Sequence, residues 1–321
     1  LYPSQHLMIT LQSCPKGYHT DQDKAVAPEA TVARTKEIFA RHGSTILAET
    51  RRIDTGRLGI PVYMSMAGEE AKAVMPTRKQ MGKGASPEQA EASALMELVE
   101  RFSFFSFWGD ETRFERLTYS QACTRWPGQV MSVERILQSV GDFLPEEEAI
   151  RLLDLVEWRF TAATSLLEGK EVYVPLDWFK TLNEFNGSCA GNTQEESLLQ
   201  GLCEVVERHV CAVVDREFLT LPTIDPESLK APVLADLYAK FTDKGLVVLL
   251  KDFSLGFPVP TVAALVYDPA TFPDQSEIVY TAGTASSPVK AAIRALSEVA
   301  QLGGDFETDA VYEASGLGKF I

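Results

Sequence analysis

The chain has 321 residues, 45% hydrophobic and 23% charged, which fits a globular protein and excludes a disordered, collagenous or disulfide-framework one. Its formal net charge of −15 has the wrong sign for counterion-release binding to DNA or RNA, so no nucleic-acid partner is expected. The five cysteines (Cys14, Cys123, Cys189, Cys203, Cys211) include no Cys-x-x-Cys pair, and reduced thiols of a cytoplasmic protein are the simplest reading.

No run approaches the ~20 apolar residues that a bilayer helix needs. Lys251 and Asp252 interrupt the best stretch, Val247–Leu250, so no membrane association is expected. No basic segment followed by an apolar one opens the chain, which argues against a secretory signal.

Residues 1–27 read as an N-terminal extension and residues 28–321 as one domain. A helix is predicted from Pro28 to Gly43, with Val32, Ile38 and Phe39 on its apolar side. Strand-like runs with a proline follow at Leu58–Tyr63, Val172–Leu176 and Leu255–Pro260, with further strands at Gly245–Leu250 and Thr261–Tyr267. The charged stretch Tyr119–Glu148 yields no clear element. His6, His19, His42 and His209 are scattered and read as structural or surface residues. The aromatic run Phe102, Phe104, Phe105, Phe107 and Trp108 reads as core packing, with a subunit interface as the alternative.

Self-similarity organises the whole chain. Ser93-Ala-Leu-Met-Glu97-Leu-Val-Glu100, Gln200-Gly-Leu-Cys-Glu204-Val-Val-Glu207 and Arg294-Ala-Leu-Ser-Glu298-Val-Ala-Gln301 align without gaps, 107 and then 94 residues apart. Seven residues before each stands a hydroxyl (Ser86, Thr193, Ser287), followed by Pro in the first and third cases. That is a helix N-cap with Pro at the first helical position. Three helices of at least four turns are therefore predicted, each following strands. The fold class is α/β (α+β): three pseudo-repeated strand–helix lobes.

The acids on these helices form stripes. At 100° per residue, Glu97 and Glu100 lie about 40° and about 20° to either side of Ser93. Glu196, Glu204 and Glu207 share an arc of about 80° on the second helix. Carboxylates flanked by apolar residues are costly unless they meet a cation, and oxygen-loving divalent ions resolve the mutual repulsion of several. A solvated face also explains one such helix, and a capping box from Thr193 explains Glu196 alone. Repetition at a fixed distance from a cap favours a site. Di-iron spacing fails because His209 follows Glu207 by two residues, and Gly82-Lys83-Gly84 lacks the P-loop pattern. Glycine-rich turns before helix starts, together with Lys83, Arg101 and Arg208, suggest a polyphosphate site.

The segments Gly82–Arg101 and Asn186–Arg208 resemble the YcaO superfamily, and the likeness runs from about Pro28 to the end. The resemblance implies a YcaO-like fold around a central ATP site, with ATP and Mg2+ as cofactors. By that likeness Glu97, Glu100, Glu204 and Glu207 hold metal. Lys83, Ser93, Asn192, Glu196, Gln200, Arg208 and Arg294 belong to the ATP site. Family members activate a peptide backbone amide by phosphorylating its oxygen. External sulfide then gives a thioamide, a Cys, Ser or Thr side chain gives an azoline, and another branch assists methylthiolation of a ribosomal protein. The proline-rich tail typical of azoline-forming members is absent from Gly316–Ile321, which favours a stand-alone, thioamide-type or unassigned member. Expected partners are a peptide or protein substrate, a TfuA-like or other sulfur-delivery protein, and a second copy of the chain. Azoline formation and a non-catalytic accessory role remain the alternatives.

Overall fold

The computed structural model describes residues 8–54, 56–274, 278–303 and 306. The segment Gly316–Ile321, on which the reading of the tail rests, lies outside the described residues, as does His6. In chain order, α1 (Pro28–Arg41) leads into β1 (Leu47–Arg52), β2 (Val62–Ala67), α2 (Glu69–Val74), β3 (Lys79–Lys83) and α3 (Pro87–Gly109). Next come β4 (Glu115–Leu117), α4 (Tyr119–Arg125), α5 (Val133–Gln138), α6 (Glu146–Leu153), β5 (Trp158–Ser165), β6 (Lys170–Pro175) and α7 (Leu176–Asn183). The chain continues through α8 (Gln194–Glu217), α9 (Pro232–Thr242), β7 (Val247–Asp252), β8 (Thr261–Tyr267), β9 (Val279–Thr284) and α10 (Pro288–Leu302).

The repeat is a repeat of sheets as well as helices. Three antiparallel meanders, β1-β2-β3, β4-β5-β6 and β7-β8-β9, precede α3, α8 and α10 respectively. The mixed α/β reading with small sheets flanked by helices therefore holds. Thr261–Tyr267 is a strand with the expected bounds. Leu255–Pro260 is not. Leu255 and Gly256 both take positive φ, which turns the chain, and Pro258 and Pro260 have no N–H to donate to a ladder. The expected strand at Leu58 likewise begins only at Val62, after Pro61. On α1 the buried residues are Pro28, Thr31 and Thr35, while Ile38 is exposed, so the expected apolar side is rotated.

Two compact units emerge from the contacts. Among the described residues, one comprises residues 8–12 and Phe104–Asn186, and the other Ser13–Ser103 and the residues from Gly187 onward. In the first unit, the charged stretch without a sequence assignment becomes α4, α5 and the start of α6. Their core is Tyr119, Ala122, Trp126, Ile136, Leu153 and Phe160. The aromatic run packs internally there: Phe104 stacks on Trp108, and the Arg159 guanidinium lies 3.6 Å from the Trp108 ring centre.

The second unit contains the first and third meanders with α8, α10 and α3 as far as Ser103. Its main core joins Ile60 and Val62 to Leu237, Phe241, Val266, Ile293 and Leu296, and a smaller one sets Val210, Cys211 and Val214 of α8 against Ala263 and Ala282. Strand and helix approach closely in the same way twice. Gly82 of β3 lies so near α3 that an added Cβ would stand 2.0 Å from the Ala94 nitrogen and 2.3 Å from the Ala90 oxygen. Gly283 of β9 would meet the Ala291 oxygen at 2.3 Å and the Ala295 nitrogen at 2.7 Å. Ser65 and Thr281 add matching hydroxyl bonds to the carbonyls of Ala94 and Ala295, both 2.8 Å. Gly82→Ala and Gly283→Ala are each expected to cost about 1–3 kcal/mol by overpacking, read as a lower denaturant midpoint with an unchanged slope. Wild-type midpoints would contradict the close approach.

Among the described residues, no helix is long and apolar enough to cross a membrane. The five cysteines are free thiols.

Candidate functional site

All three predicted caps form. Ser86, Thr193 and Ser287 accept from the backbone N–H groups of Gln89, Glu196 and Lys290 through their side-chain oxygens. Local capping thus fixes where α3, α8 and α10 start, and the helical period then places the acids.

Within the second unit these helices and β3 gather acids and bases into one electrostatic group. Lys83, at the end of β3, pairs with Glu298 of α10. Arg294 of α10 donates from Nη1 to Gln200 of α8 at 2.8 Å. Glu207 of α8 accepts from the Thr284 N–H at 2.7 Å. On α3, Glu100 accepts from Ser188 at 2.9 Å and pairs with Arg101 at 3.1 Å. Glu97 lies 3.9 Å from Arg101, and Glu204 lies 3.7 Å from Arg208. Ser93 sits half-buried on α3.

The charges strain against burial. The Glu100 carboxyl is pushed up to about 7, first by burial; Arg101 and Ser188 oppose this, while the nearby Glu204 and Glu97 add to it. Glu207 is raised by burial, against the pull of Arg294, Lys83, the Thr284 N–H and Arg208. Burial pulls the Lys83 ammonium down to about 8; Arg294 and Arg208 reinforce this, and Glu207 and Glu97 counter it. Among the described residues, the buried Nε of Arg294 and Oε1 of Gln301 find no hydrogen-bond partner. Among the described residues no three His, Cys, Asp or Glu groups stand as a ready-made cation cage; each acid leans on a protein partner instead.

Beside this group lies a shallow, solvent-open cleft. Glu196, Gln200, Thr284, Lys290 and Arg294 line it, together with Lys16 and Lys24 from the N-terminal segment. Lys24 was not legible from sequence, because it stands in the stretch read as an extension and carries no motif. Burial holds its ammonium below the usual lysine range, with Glu196 opposing and Arg294 reinforcing.

Glu196 does not close a capping box. Its N–H bonds Thr193 Oγ1 at 3.2 Å, but its carboxylate takes the Asn192 N–H (3.1 Å), Asn192 Nδ2 (2.9 Å) and the Ala25 N–H (2.6 Å). Burial pushes this carboxyl up; the N–H donors and Lys24 outweigh it and hold the group below the usual range. Asn192 Oδ1 also accepts from Thr31 at 3.0 Å, which ties α1 to the start of α8.

The family model described as YcaO cyclodehydratase, ATP- and Mg2+-binding, matches residues 81–317. An uncharacterized protein of Methanothermobacter thermautotrophicus is 30% identical over 87% of this chain and 70% of its own length. An uncharacterized protein in the tfuA 3' region of Rhizobium leguminosarum bv. trifolii is 29% identical over 88% of this chain and 66% of its own. The ribosomal protein S12 methylthiotransferase accessory factor YcaO of Escherichia coli is 30% identical over 59% of this chain, which spans 35% of that protein. Two solved structures share the fold. YcaO from Methanopyrus kandleri, bound with AMPPCP and Mg2+, has a TM-score of 0.61 and 22% identity over 92% of this chain and 72% of its own. A heterocyclase in complex with substrate and cofactor has a TM-score of 0.70 and 23% identity over 92% and 42%. The gathered acids and cations, the repeated capped helices and these matches together place the chain in the YcaO family, whose domain binds ATP and Mg2+.

Proposed function

We propose that this protein uses ATP and Mg2+ to activate a peptide backbone amide for sulfur insertion, as a thioamide-type YcaO enzyme. The observation that carries the reading is the electrostatic group on α3, α8, α10 and β3. It suits both ligands: burial pushes the Glu100 carboxyl up to about 7, with the neighbouring Glu204 and Glu97 adding to the rise, and the buried Arg294 Nε has no hydrogen-bond partner among the described residues. Glu97, Glu100, Glu204 and Glu207 would hold Mg2+. Lys83, Arg208 and Arg294 would face the phosphates, with Ser93, Asn192, Glu196, Gln200 and Lys24 around the nucleotide. When bound, Mg-ATP supplies the phosphoryl group that makes an amide oxygen a good leaving group. The protein's share is to position the triphosphate and to neutralise its charge in a partly buried setting.

The relative from the tfuA region supports the sulfur-insertion branch and a TfuA-like partner. The free thiols fit a cytoplasmic protein, and we further propose a homodimer. The test is mass spectrometry of candidate precursor peptides after incubation with protein, Mg-ATP, sulfide and a TfuA-like partner. Exchange of one oxygen for sulfur is expected. Loss of water instead would assign azoline formation. ATP turnover with no peptide product, with ribosomal methylthiolation depending on the protein, would favour the accessory role that the Escherichia coli relative suggests.

A further inference from the structure

The sheet β1-β2-β3 ends at β1, which no further strand borders among the described residues. Its register with β2 fixes where each main-chain group points. The Ile53 N–H donates to the Val62 carbonyl at 2.8 Å, and in an antiparallel ladder such bonded pairs recur every second residue. Glu49 and Arg51 therefore bond Met66 and Met64, while the N–H and C=O of Thr50 point outward along the open edge. The far side of β2 agrees: the Ala67 N–H donates to the Arg78 carbonyl at 2.9 Å, which turns Met66 and Met64 toward β1.

Side chains alternate in the same way. Thr50 Oγ1 donates to Glu91 of α3 at 2.6 Å, and Ser65, opposite it on β2, donates to the Ala94 carbonyl of the same helix. Thr50 thus lies on the helix side of the sheet. Glu49 and Arg51 lie on the other side, both exposed, and neither joins an ion pair or side-chain hydrogen bond among the described residues.

An open edge accepts a further strand, and charged residues on it normally keep copies apart. Here their order reverses that effect. When two β1 strands run antiparallel about a two-fold axis at Thr50, the two Thr50 residues exchange main-chain bonds. Glu49 then stands opposite the second copy's Arg51, and the axis repeats the contact, so two opposite-charge pairs form. Moving the axis one residue either way sets Glu49 against Glu49 or Arg51 against Arg51, and like charges opposite each other resist pairing. The bulge at Ala48 ends the regular edge just beyond these pairs.

We propose that a second copy of this chain occupies the β1 edge, antiparallel and centred on Thr50, joining two three-stranded sheets into one. This rests on the homodimer reading and is independent of the nucleotide reading.

The test compares the full chain with Glu49→Arg, Arg51→Glu and the double exchange by sedimentation equilibrium, with circular dichroism to compare their folds. Wild type should be a dimer. Each single reversal turns two attractive pairs into two repulsive ones and should weaken dimerisation about tenfold or more. The double exchange rebuilds both pairs in the opposite order and should return to within about threefold of wild type. A monomeric wild type overturns the proposal and the homodimer reading together, and leaves the edge to another partner such as a peptide strand. A dimer that neither reversal weakens overturns the β1 edge while keeping the homodimer. Reversals that weaken it without recovery in the double exchange overturn the register centred on Thr50.

Discussion

Glu204→Gln is expected to reduce ATP turnover at least about a hundredfold while leaving the ligand-free melting temperature unchanged or slightly raised. Glu204 lies in the middle of α8, so it takes no part in a cap. Its ion pair with Arg208 is an i,i+4 contact at 3.7 Å, a type worth only about 0.3–0.5 kcal/mol. Its charge also pushes the neighbouring Glu100 carboxyl upward, so removing it relieves repulsion in the empty protein. The same change removes a hard oxygen donor from the proposed Mg2+ set, and Gln is a poor replacement for a carboxylate there. Thermal melting and ATP turnover with peptide, run on the same preparation, separate the two effects. Full activity in the variant would remove Glu204 from the metal set. A large drop in melting temperature would show that it serves the fold instead.

What the sequence disclosed was the locally determined part. A cap hydroxyl, a proline at the first helical position and a fixed distance to the acids need only one helix each, and Ser86, Thr193 and Ser287 all cap as read. Features that depend on partners far along the chain were hidden. Glu196 reaches Ala25, 171 residues away, and no periodicity foretells that bond. Burial on α1 follows Thr31, whose hydroxyl meets Asn192 Oδ1, rather than Ile38, because tertiary hydrogen bonding overrode the apolar stripe. The helices α4, α5 and α6 are eight residues or shorter, too short for a 3.6-residue period to declare itself in a charged sequence. Lys24 entered the site through a hairpin closed by backbone bonds, which leave no side-chain signature at all.

The acid at the start of α8 offers the second large effect, this time on stability. Glu196 is 4% exposed, and its two oxygens satisfy three N–H donors. In Glu196→Gln the amide oxygen can keep the Asn192 pair, but the amide nitrogen then faces the Ala25 N–H, donor against donor. A loss of about 2–3 kcal/mol is expected at neutral pH, with the hairpin beyond Ala25 loosened first. A pure capping role predicts near-wild-type stability instead, since Gln serves a capping box as well as Glu. The pH dependence gives a second check. Because the folded carboxyl titrates below its ordinary value of 4.5, its contribution is complete above that value and is lost as pH falls through the lowered one. The gap between wild type and variant should therefore be constant from neutral pH down to about 5 and close only in more acidic solution. Denaturant midpoints across that range measure it, and a gap that widened on acidification would mean that Glu196 is held in its protonated form.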